Sequence, residues 1–333
     1  MNPAPRIAVI GAGMAGLACA SALQAAGYTA SVFEKSRGPS GRMSTRRDEA
    51  WQCDHGAQYF TARDPLFRAE VARWQRSGVA AIWAPRMQVL GGASDHRTDP
   101  AVERFVGTPR MSAPGRLLAD ALTLTTQATI QKLVRQADGW QLFSAEQGGM
   151  RERFDAAVLA VPAPQAVPLL TPLAPQLASL AASANMRGCW ALMLHFMRPV
   201  GLPFDAAFVN DGPLRWIARD SSKPGRTPQA GQETWLLHAS PEWSEAHLEE
   251  DGNSIAESLI SAFVQLGGGA PDGWTAHRWR YADTHPVLQQ RFAWDGEQRL
   301  GLCGDWLNGG KVQGAWLSGT QLAQEVVQSL SAA

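Results

Sequence analysis

The chain has 333 residues, of which 45% are hydrophobic and 18% are charged, so its composition is that of an ordinary globular protein. A chain of this length is expected to form two domains. Thirty basic residues balance thirty acidic ones, which argues against nucleic acid or an anionic membrane as the partner. We therefore expect a small-molecule partner.

The N-terminal residues lack a basic segment followed by an apolar one, and no apolar run approaches the roughly 20 residues of a membrane span. The four cysteines are scattered and form no C-x-x-C pair, which is typical of buried thiols in a reducing compartment. These features predict a cytoplasmic protein with no membrane segment and no metal site.

A glycine motif follows the first predicted strand. Arg6–Ile10 is a short β-branched apolar run, typical of a strand buried on both faces, and G-x-G-x-x-G comes directly after it. Gly11 permits a tight turn, Gly13 lets backbone approach a pyrophosphate, and Gly16 lets the next helix pack closely on the strand. The phosphates would lie on the unpaired N–H groups at the start of that helix.

The second strand supplies an acid. Gly27 is placed to end the helix, and Thr29–Phe33 has the pattern of a second parallel strand. Glu34 follows that strand, roughly 20 residues past the glycines, where a carboxylate can accept hydrogen bonds from a ribose diol. Strand, glycines, helix and acid together predict a dinucleotide site, the alternative being a tight turn in an ordinary α/β unit.

A basic, glycine-rich loop from Lys35 to Arg46 comes next. Its Arg42 can neutralise a pyrophosphate, whereas the alternative for the loop is a solvated surface turn. The segment Asp54-His55-Gly56-Ala57-Gln58-Tyr59 follows. His55 is a candidate for a catalytic histidine, but we interpret it as a structural residue.

The motifs GAGMAG, Glu34, Gly41-Arg42-Met43 and D-x-G-A-Q-Y resemble those of the flavin-dependent amine oxidase superfamily, and within it the chain most resembles the renalases. The resemblance implies FAD as cofactor and an α/β fold. That fold is an FAD-binding Rossmann-like domain of the glutathione-reductase and amine-oxidase type, with a second α+β substrate domain built on an antiparallel sheet. It places these residues at the cofactor: Gly11, Ala12, Gly13, Met14, Ala15, Gly16, Glu34, Lys35, Arg42, Met43, Gln58, Tyr59, Val134, Asp305 and Val312.

Pattern along the rest of the chain predicts further elements and domain limits. We predict a helix in 64–77 and an irregular segment over 79–107, in which the chain leaves the nucleotide-binding fold and enters a second domain. A helix over 116–122, a hairpin in 129–143 and a strand in 154–161 follow. Short helices then cover 162–184, strands fall within 189–239, one long helix lies in 243–267, and a last strand of the second domain covers 274–282. The FAD domain is predicted to comprise 1–62, 108–184 and 285–333, and the substrate domain 63–107 and 185–284.

Two of the cofactor assignments come from the resemblance alone. It places Asp305 at the ribityl chain or pyrophosphate and the N–H groups near Val312 at the flavin N1–C2 carbonyl, where negative charge develops on reduction. Asp305 as an ordinary helix N-cap is an alternative that can coexist with binding. The backbone of Val134 would hydrogen-bond the adenine, although the pattern alone makes this valine a core residue.

The resemblance also assigns a catalytic pocket to Tyr59, His238 and Trp279. Two aromatic rings can flank a flat pyridine ring, and a histidine can donate to a carboxamide or steady an anion. None of the three needs to act as a base. The alternatives are a core tryptophan and a buried structural histidine.

The function implied is an FAD-dependent oxidase of misreduced nicotinamide isomers. Its substrate would be 2-dihydro-NAD(P), with 6-dihydro-NAD(P) as an open second case. Hydride would pass to flavin N5 and O2 would be reduced to H2O2. Oligomeric state and preference for NAD or NADP stay open.

Two alternatives remain. One is an FAD-dependent amine oxidase, for which Lys223 and Lys311 lie in candidate regions; we expect Lys223, in a Pro-Gly turn, to be exposed. The other is a non-catalytic FAD-binding protein.

Overall fold

The computed structural model describes residues 4–48, 51–92, 99 and 101–331. Its helices are α1 (Met14–Ala25), α2 (Pro65–Arg76), α3 (Ala113–Ala119), α4 (Ala163–Leu170), α5 (Pro175–Ala182), α6 (Pro241–Ala246), α7 (Gly252–Gln265) and α8 (Val312–Ser331). Its strands are β1 (Arg6–Ile10), β2 (Thr29–Glu34), β3 (Thr45–Arg47), β4 (Gln52–Asp54), β5 (Ala80–Ile82), β6 (Met87–Leu90), β7 (Phe105–Gly107), β8 (Thr123–Thr126), β9 (Ile130–Gln136), β10 (Gly139–Ser144), β11 (Gly148–Gly149), β12 (Ala156–Leu159), β13 (Met186–Phe196), β14 (Ala206–Val209), β15 (Leu214–Arg219), β16 (Glu233–Ala239), β17 (Gly273–Thr284), β18 (Ala293–Asp295) and β19 (Leu300–Leu302).

A six-stranded sheet forms the centre of the first half of the molecule, in the order β18-β19-β12-β1-β2-β8. Neighbouring strands are parallel except at β18, which runs antiparallel to β19. Because side chains alternate along a strand, Ile7 and Val9 of β1 enter the core that includes α1 and α8, whereas Ala8 and Ile10 enter the opposite core with α4 and α5. Both faces are covered, as the apolar run of β1 predicts.

A second six-stranded sheet has the order β17-β13-β16-β15-β14-β6. It is antiparallel except where β6 pairs in parallel with β14. One face packs on α7, where Trp235 and Leu237 of β16 meet Phe263. The strand period of two therefore turns Leu236 and His238 to the other face, toward the glycine motifs.

The predicted fold class is confirmed, with differences in detail. The strands β3, β4, β5, β6, β7, β8, β11 and β18 were not predicted, and α3 begins and ends three residues before the predicted helix over 116–122. The long helix expected within 243–267 is α7, and the short α6 before it was not predicted; Ser240 and Asp251 each cap a helix start of their own. The predicted domain limits stay a prediction.

None of the helices within the described ranges is long and apolar enough to cross a membrane. Over the same ranges, no group of three or more His, Cys, Asp or Glu side chains is arranged to hold a metal ion.

Candidate active site

A cavity of about 2560 Å³ is lined by residues from both large sheets. Ordinary ligand pockets have volumes of roughly 300–1,000 Å³. The cavity therefore has room for an extended dinucleotide and a second molecule beside it. Its lining includes the glycine motif at one end and His238 with Trp279 at the other.

The glycine motif forms the end of the cavity that we call the cofactor end, defined by Gly11, Gly13, Glu34, Asp305 and Val312. Gly11 has a φ of +104°, and a Cβ there would lie 2.5 Å from the Ala160 carbonyl oxygen, so this turn requires glycine. At Gly13 a Cβ would meet no atom within 4 Å, and the backbone is open to the cavity. α1 begins at Met14 with no side chain capping its first N–H groups, which leaves them available to phosphate oxygens.

Ala12 and Gly16 of the glycine motif do not line the cavity but hold the motif in its shape. A Cβ on Gly16 would lie 2.0 Å from the Gly11 carbonyl oxygen, so this glycine sets the close packing of helix on turn. The Ala12 N–H donates to Glu34 Oε2 at 2.8 Å, and the Ser36 N–H donates to Glu34 Oε1 at 2.8 Å. The carboxylate thus fixes the glycine turn to the end of β2, and each oxygen keeps a second lone pair for a ribose hydroxyl.

The C-terminal segment that carries Asp305 and Val312, which we call the C-terminal motif, reaches the same end of the cavity. α8 begins at Val312, which lines the cavity, and its first N–H groups form a second helix start there. Arg42 donates to Asp305 Oδ1 and, at 3.1 Å, to the Ala282 carbonyl oxygen. Two motifs separated by 263 positions are therefore joined by one ion pair.

These residues fit an extended dinucleotide. Two helix starts, an open glycine backbone and a buried acid face one continuous space, and each is a feature that binds phosphate or ribose. Lys35 and the buried Met43 also line it. Gln58 lines it too, but its amide is used by the protein: Nε2 donates to the carbonyl oxygens of Asp54 and Gly56, and Oε1 accepts from Lys223.

The predicted adenine contact lies in β9. Val134 lies in β9 opposite Gln141 and does not line the cavity. From this segment, the lining residues are Ala128, Thr129, Ile130 and Gln131. The adenine contact of Val134 stays a prediction, since an apolar strand pattern does not show which of its residues meets a ligand.

His238 and Trp279 meet at one backbone oxygen at the opposite end. His238 Nε2 lies 3.2 Å from the His55 carbonyl oxygen, and Trp279 Nε1 donates to the same oxygen at 2.8 Å. The His55 ring stacks on Trp279 with centroids 5.2 Å apart, and His277 meets His55 edge-on at 4.6 Å. We call these four residues the histidine–tryptophan group. His55 holds the other members in place, which is the structural role predicted for it.

The histidines of this group are neutral at pH 7. Burial lowers the pKa of His238 to about 4, and burial together with the neighbouring His277 lowers the pKa of His55 to about 3. The pKa of His277 is lowered as well, by burial and by Arg46. The group can therefore hydrogen-bond a substrate without carrying charge.

Tyr59 lies in an aromatic cluster that the sequence did not reveal. Its ring is 5.6 Å from the Trp216 ring, which is 4.9 Å from Phe208, and the Arg104 guanidinium lies 5.6 Å from the Tyr59 centroid. All four line the cavity. The strand alternation of 214–219 was the available signal for Trp216, but its pairing with Tyr59 joins distant parts of the chain.

The prediction that Lys223 is exposed is wrong. Its side chain is 0% exposed, and its Nζ lies 2.7 Å from Asp220 Oδ1, 3.1 Å from Asp54 Oδ2 and 3.2 Å from Gln58 Oε1. Arg226 also pairs with Asp54. This buried quartet of Asp54, Asp220, Lys223 and Arg226 lies outside the cavity lining, whereas Lys311 lines the cavity just before α8.

The quartet shifts both of its acids. Burial acts to raise the pKa of Asp54, but Lys223 and Arg226 outweigh it and lower that pKa to about 2. Burial and the charge of Asp54 raise the pKa of Asp220 to about 6. Lys223 is thus committed to structural ion pairs.

Comparison with known proteins identifies the class that this fold and site define. Residues 9–73 match an NAD(P)-binding Rossmann-like domain, and residues 71–327 match the flavin containing amine oxidoreductases. The protein is a flavin-dependent oxidoreductase. The second match covers the larger part of the chain, so the chain belongs to the flavin containing amine oxidoreductase family, and its cofactor is FAD.

Solved structures with the same fold catalyse different reactions. Cyclohexylamine oxidase from Brevibacterium oxydans superposes with a TM-score of 0.75 at 14% identity, over 99% of this chain and 100% of that one. A reduced UDP-galactopyranose mutase gives a TM-score of 0.77 at 11% identity, over 99% of this chain and 96% of that one. At such identities the likeness shows the fold, which leaves the reaction open.

One curated relative matches a part of the chain. It is the tRNA 5-methylaminomethyl-2-thiouridine biosynthesis bifunctional protein MnmC of Magnetococcus marinus, 29% identical over 219 residues. The match covers 51% of this chain and 31% of the relative, so the chain spans about a third of that protein's length.

Proposed function

We propose that this protein is a renalase-type FAD-dependent oxidase of misreduced nicotinamide isomers. Its substrate is 2-dihydro-NAD(P), with 6-dihydro-NAD(P) as a second candidate. The products are NAD(P)+ and, with O2 as acceptor, H2O2. The observation that carries the proposal is the cationic character of the cavity together with the aromatic rings and the uncharged histidine of its substrate end, which we define by Tyr59, Trp216, His238 and Trp279.

Cationic side chains dominate the described part of the cavity lining. Twelve are cationic and five are acidic. The cationic ones are Lys35, Arg37, Arg42, Arg46, Arg47, Arg63, Arg104, Arg116, Arg215, Arg278, Arg280 and Lys311, and the acidic ones are Glu34, Asp48, Asp99, Asp283 and Asp305. A cavity of this sign favours a dinucleotide, whose diphosphate is anionic, and disfavours a protonated amine.

The substrate end suits a planar ring that has to be positioned and kept from water. Tyr59, Trp216 and Trp279 present aromatic surface, and the neutral His238 supplies one polar contact. FAD supplies the hydride acceptor when bound. Because the substrate regains aromaticity on losing hydride, the side chains need only orient it, and no protein base is required.

The second candidate function is amine oxidation. It is favoured by the family match and by the fold shared with cyclohexylamine oxidase. The cationic lining opposes it. Lys223 opposes it too, since this lysine is held by Asp54 and Asp220 outside the lining and is not available beside the cofactor.

Aerobic turnover tests the proposal. The flavin-loaded protein is mixed with separated 2-, 4- and 6-dihydro-NAD(P) and with a panel of primary and secondary amines, and O2 consumption, H2O2 and NAD(P)+ are measured. We expect one H2O2 for each NAD(P)+ formed from the 2-isomer or the 6-isomer. Peroxide formation from an amine alone would establish the second candidate instead.

A further inference from the structure

We propose that His238 determines specificity by accepting a hydrogen bond from the substrate's carboxamide N–H at Nδ1, and that it thereby rejects an otherwise identical substrate carrying a carboxylate. This inference rests on the proposed function, because it assumes that the pyridine ring binds at the histidine–tryptophan group. It goes further because it says that the site accepts a hydrogen bond from the substrate, and because it names a chemical group, the carboxylate, that the site excludes.

The acceptor role of Nδ1 follows from the hydrogen bond that the other ring nitrogen, Nε2, makes. His238 Nε2 lies 3.2 Å from the His55 carbonyl oxygen. A carbonyl oxygen can only accept, so Nε2 must carry the proton. A neutral imidazole has a single N–H, and Nδ1 is then left with a lone pair.

Nδ1 is the ring atom that remains for a ligand. His238 lines the cavity, and no described residue donates to its Nδ1. Nor does this nitrogen belong to the buried polar atoms that lack a partner, so part of its surface is accessible. Burial, reinforced by the nearby charges of Lys223 and Arg215, lowers the pKa of His238 to about 4, so Nδ1 stays unprotonated at pH 7.

Trp279 fixes this arrangement. Its Nε1–H donates to the same His55 oxygen at 2.8 Å, so the two lone pairs of that oxygen are both used. The indole N–H is thus occupied, and Trp279 offers a ligand its ring alone. The histidine–tryptophan group consequently presents an acceptor beside an aromatic surface, which matches a planar primary amide attached to a ring.

Two cationic residues of the lining act in the opposite direction, because their positive charge would attract a carboxylate. Arg46, which is exposed, acts on His55 and His277, and the other residue is Arg215, which acts on His238. The Arg215 side chain is 43% exposed and lies 3.9 Å from Asp283, so solvent and a counter-charge both weaken that attraction. The lone pair of Nδ1 would face a carboxylate oxygen, and neither atom carries a proton for a hydrogen bond. We therefore expect rejection to prevail.

Binding of two matched dinucleotides tests the inference without turnover. NAD+ and nicotinic acid adenine dinucleotide differ only in carboxamide against carboxylate, and each is titrated at pH 7 against the oxidised holoprotein while the visible flavin spectrum is followed. We expect NAD+ to bind roughly ten- to hundredfold more tightly, the usual effect of one unmade polar contact. His238→Phe should bring the two affinities close together. His247→Phe, outside the cavity lining, should leave the ratio unchanged.

The outcomes separate this inference from the proposed function. Equal affinities in the unaltered protein, or a preference that survives in His238→Phe, would overturn the role of His238 and leave the nicotinamide substrate standing. Binding of neither dinucleotide would overturn both.

The tautomer can be measured independently of any ligand. In ¹H–¹⁵N correlation spectra of the ¹⁵N-histidine-labelled holoprotein, with the His238→Phe spectrum used for assignment, we expect a protonated Nε2 and an unprotonated Nδ1. A protonated Nδ1 would overturn the inference.

Discussion

The two ends of the cavity are built in different ways. The cofactor end offers mostly backbone: the helix starts of α1 and α8, the open Gly13, and a carboxylate, Glu34, that holds backbone N–H groups. The substrate end offers side chains, above all the rings of Tyr59 and the histidine–tryptophan group. Backbone recognition depends on few side-chain identities, so many family members can share it, whereas the ring-lined end is where this chain's own chemistry is decided.

The buried quartet lies outside the cavity lining and joins distant segments of the chain. It joins Asp54 at the end of β4 to Asp220 and Lys223, which follow β15, and Arg226 donates to the Gly107 carbonyl oxygen. Lys223 also holds Gln58, one residue before Tyr59. Substitutions can therefore test the quartet through the stability of the fold and each end of the cavity through binding.

Removing the buried ammonium should have the largest effect. Lys223→Met leaves Asp220 without its cation and Asp54 with Arg226 alone, in a site that is 0% exposed. We expect the free energy of unfolding to fall by about 3–5 kcal/mol, measured by urea denaturation. Lys132→Met, at an exposed position of β9, is the control and should change it by less than about 0.5 kcal/mol. A loss below about 1 kcal/mol for Lys223→Met would contradict the quartet's structural role.

Two glycine substitutions should separate packing from cofactor binding. Gly16→Ala forces a Cβ against the Gly11 carbonyl oxygen, and we expect it to cost about 1–3 kcal/mol of unfolding free energy in the FAD-free protein. Gly13→Ala meets open space at an ordinary φ of −74°, so that stability should hold while FAD retention falls. Denaturation and flavin content of the purified variants check both. Full flavin in Gly13→Ala would show that this backbone does not approach the cofactor.

Acid should weaken the fold through Asp54. Its pKa in the folded protein is about 2 against an ordinary value of 3.8, so its stabilisation is complete above pH 3.8 and is lost as pH falls toward 2. The shift corresponds to about 2 kcal/mol. Because Asp220 titrates together with Asp54, both proteins carry Asp220→Asn. Between pH 5 and 2, the protein that keeps Asp54 should lose about that much more unfolding free energy than the one with Asp54→Asn. Parallel pH profiles of the two proteins would argue against the shift.

The smallest effect is expected at the ribose acceptor. Glu34→Ala removes the carboxylate that holds the Ala12 and Ser36 N–H groups and is placed for a ribose diol. FAD affinity should fall about tenfold, the effect of one or two hydrogen bonds to a charged group. Glu257→Ala, on the exposed side of α7, should retain flavin as the unaltered protein does. A Glu34→Ala protein that purifies with full flavin would contradict the assignment.

The same contrast explains what could be predicted from the sequence. The turn at Gly11, the helix start at Met14 and the acid at Glu34 are local, because spacing along one βαβ unit fixes where each lies. Lys223 was misplaced because a Pro-Gly turn is typical of the surface, and its burial depends on Asp54, 169 positions away. Packing of this kind leaves no local pattern.

The substrate end shows the same limit. Both His238 and Trp279 were predicted for the pocket, but only through resemblance, and nothing in either strand indicated that they share the His55 carbonyl oxygen. The prediction for Val134 meets a related limit, because strand periodicity gives the face of a residue but not its distance from a ligand.

The most direct test of the central claim is anaerobic flavin reduction. Separated 2-, 4- and 6-dihydro-NAD(P) and a panel of amines are each mixed with the oxidised holoprotein without O2, and the visible absorbance of the flavin is followed in time. Rapid bleaching by the 2-isomer or the 6-isomer, with the amines inert, is the result we predict. Bleaching by an amine with every nicotinamide isomer inert would contradict our account of the substrate end while leaving the FAD fold intact.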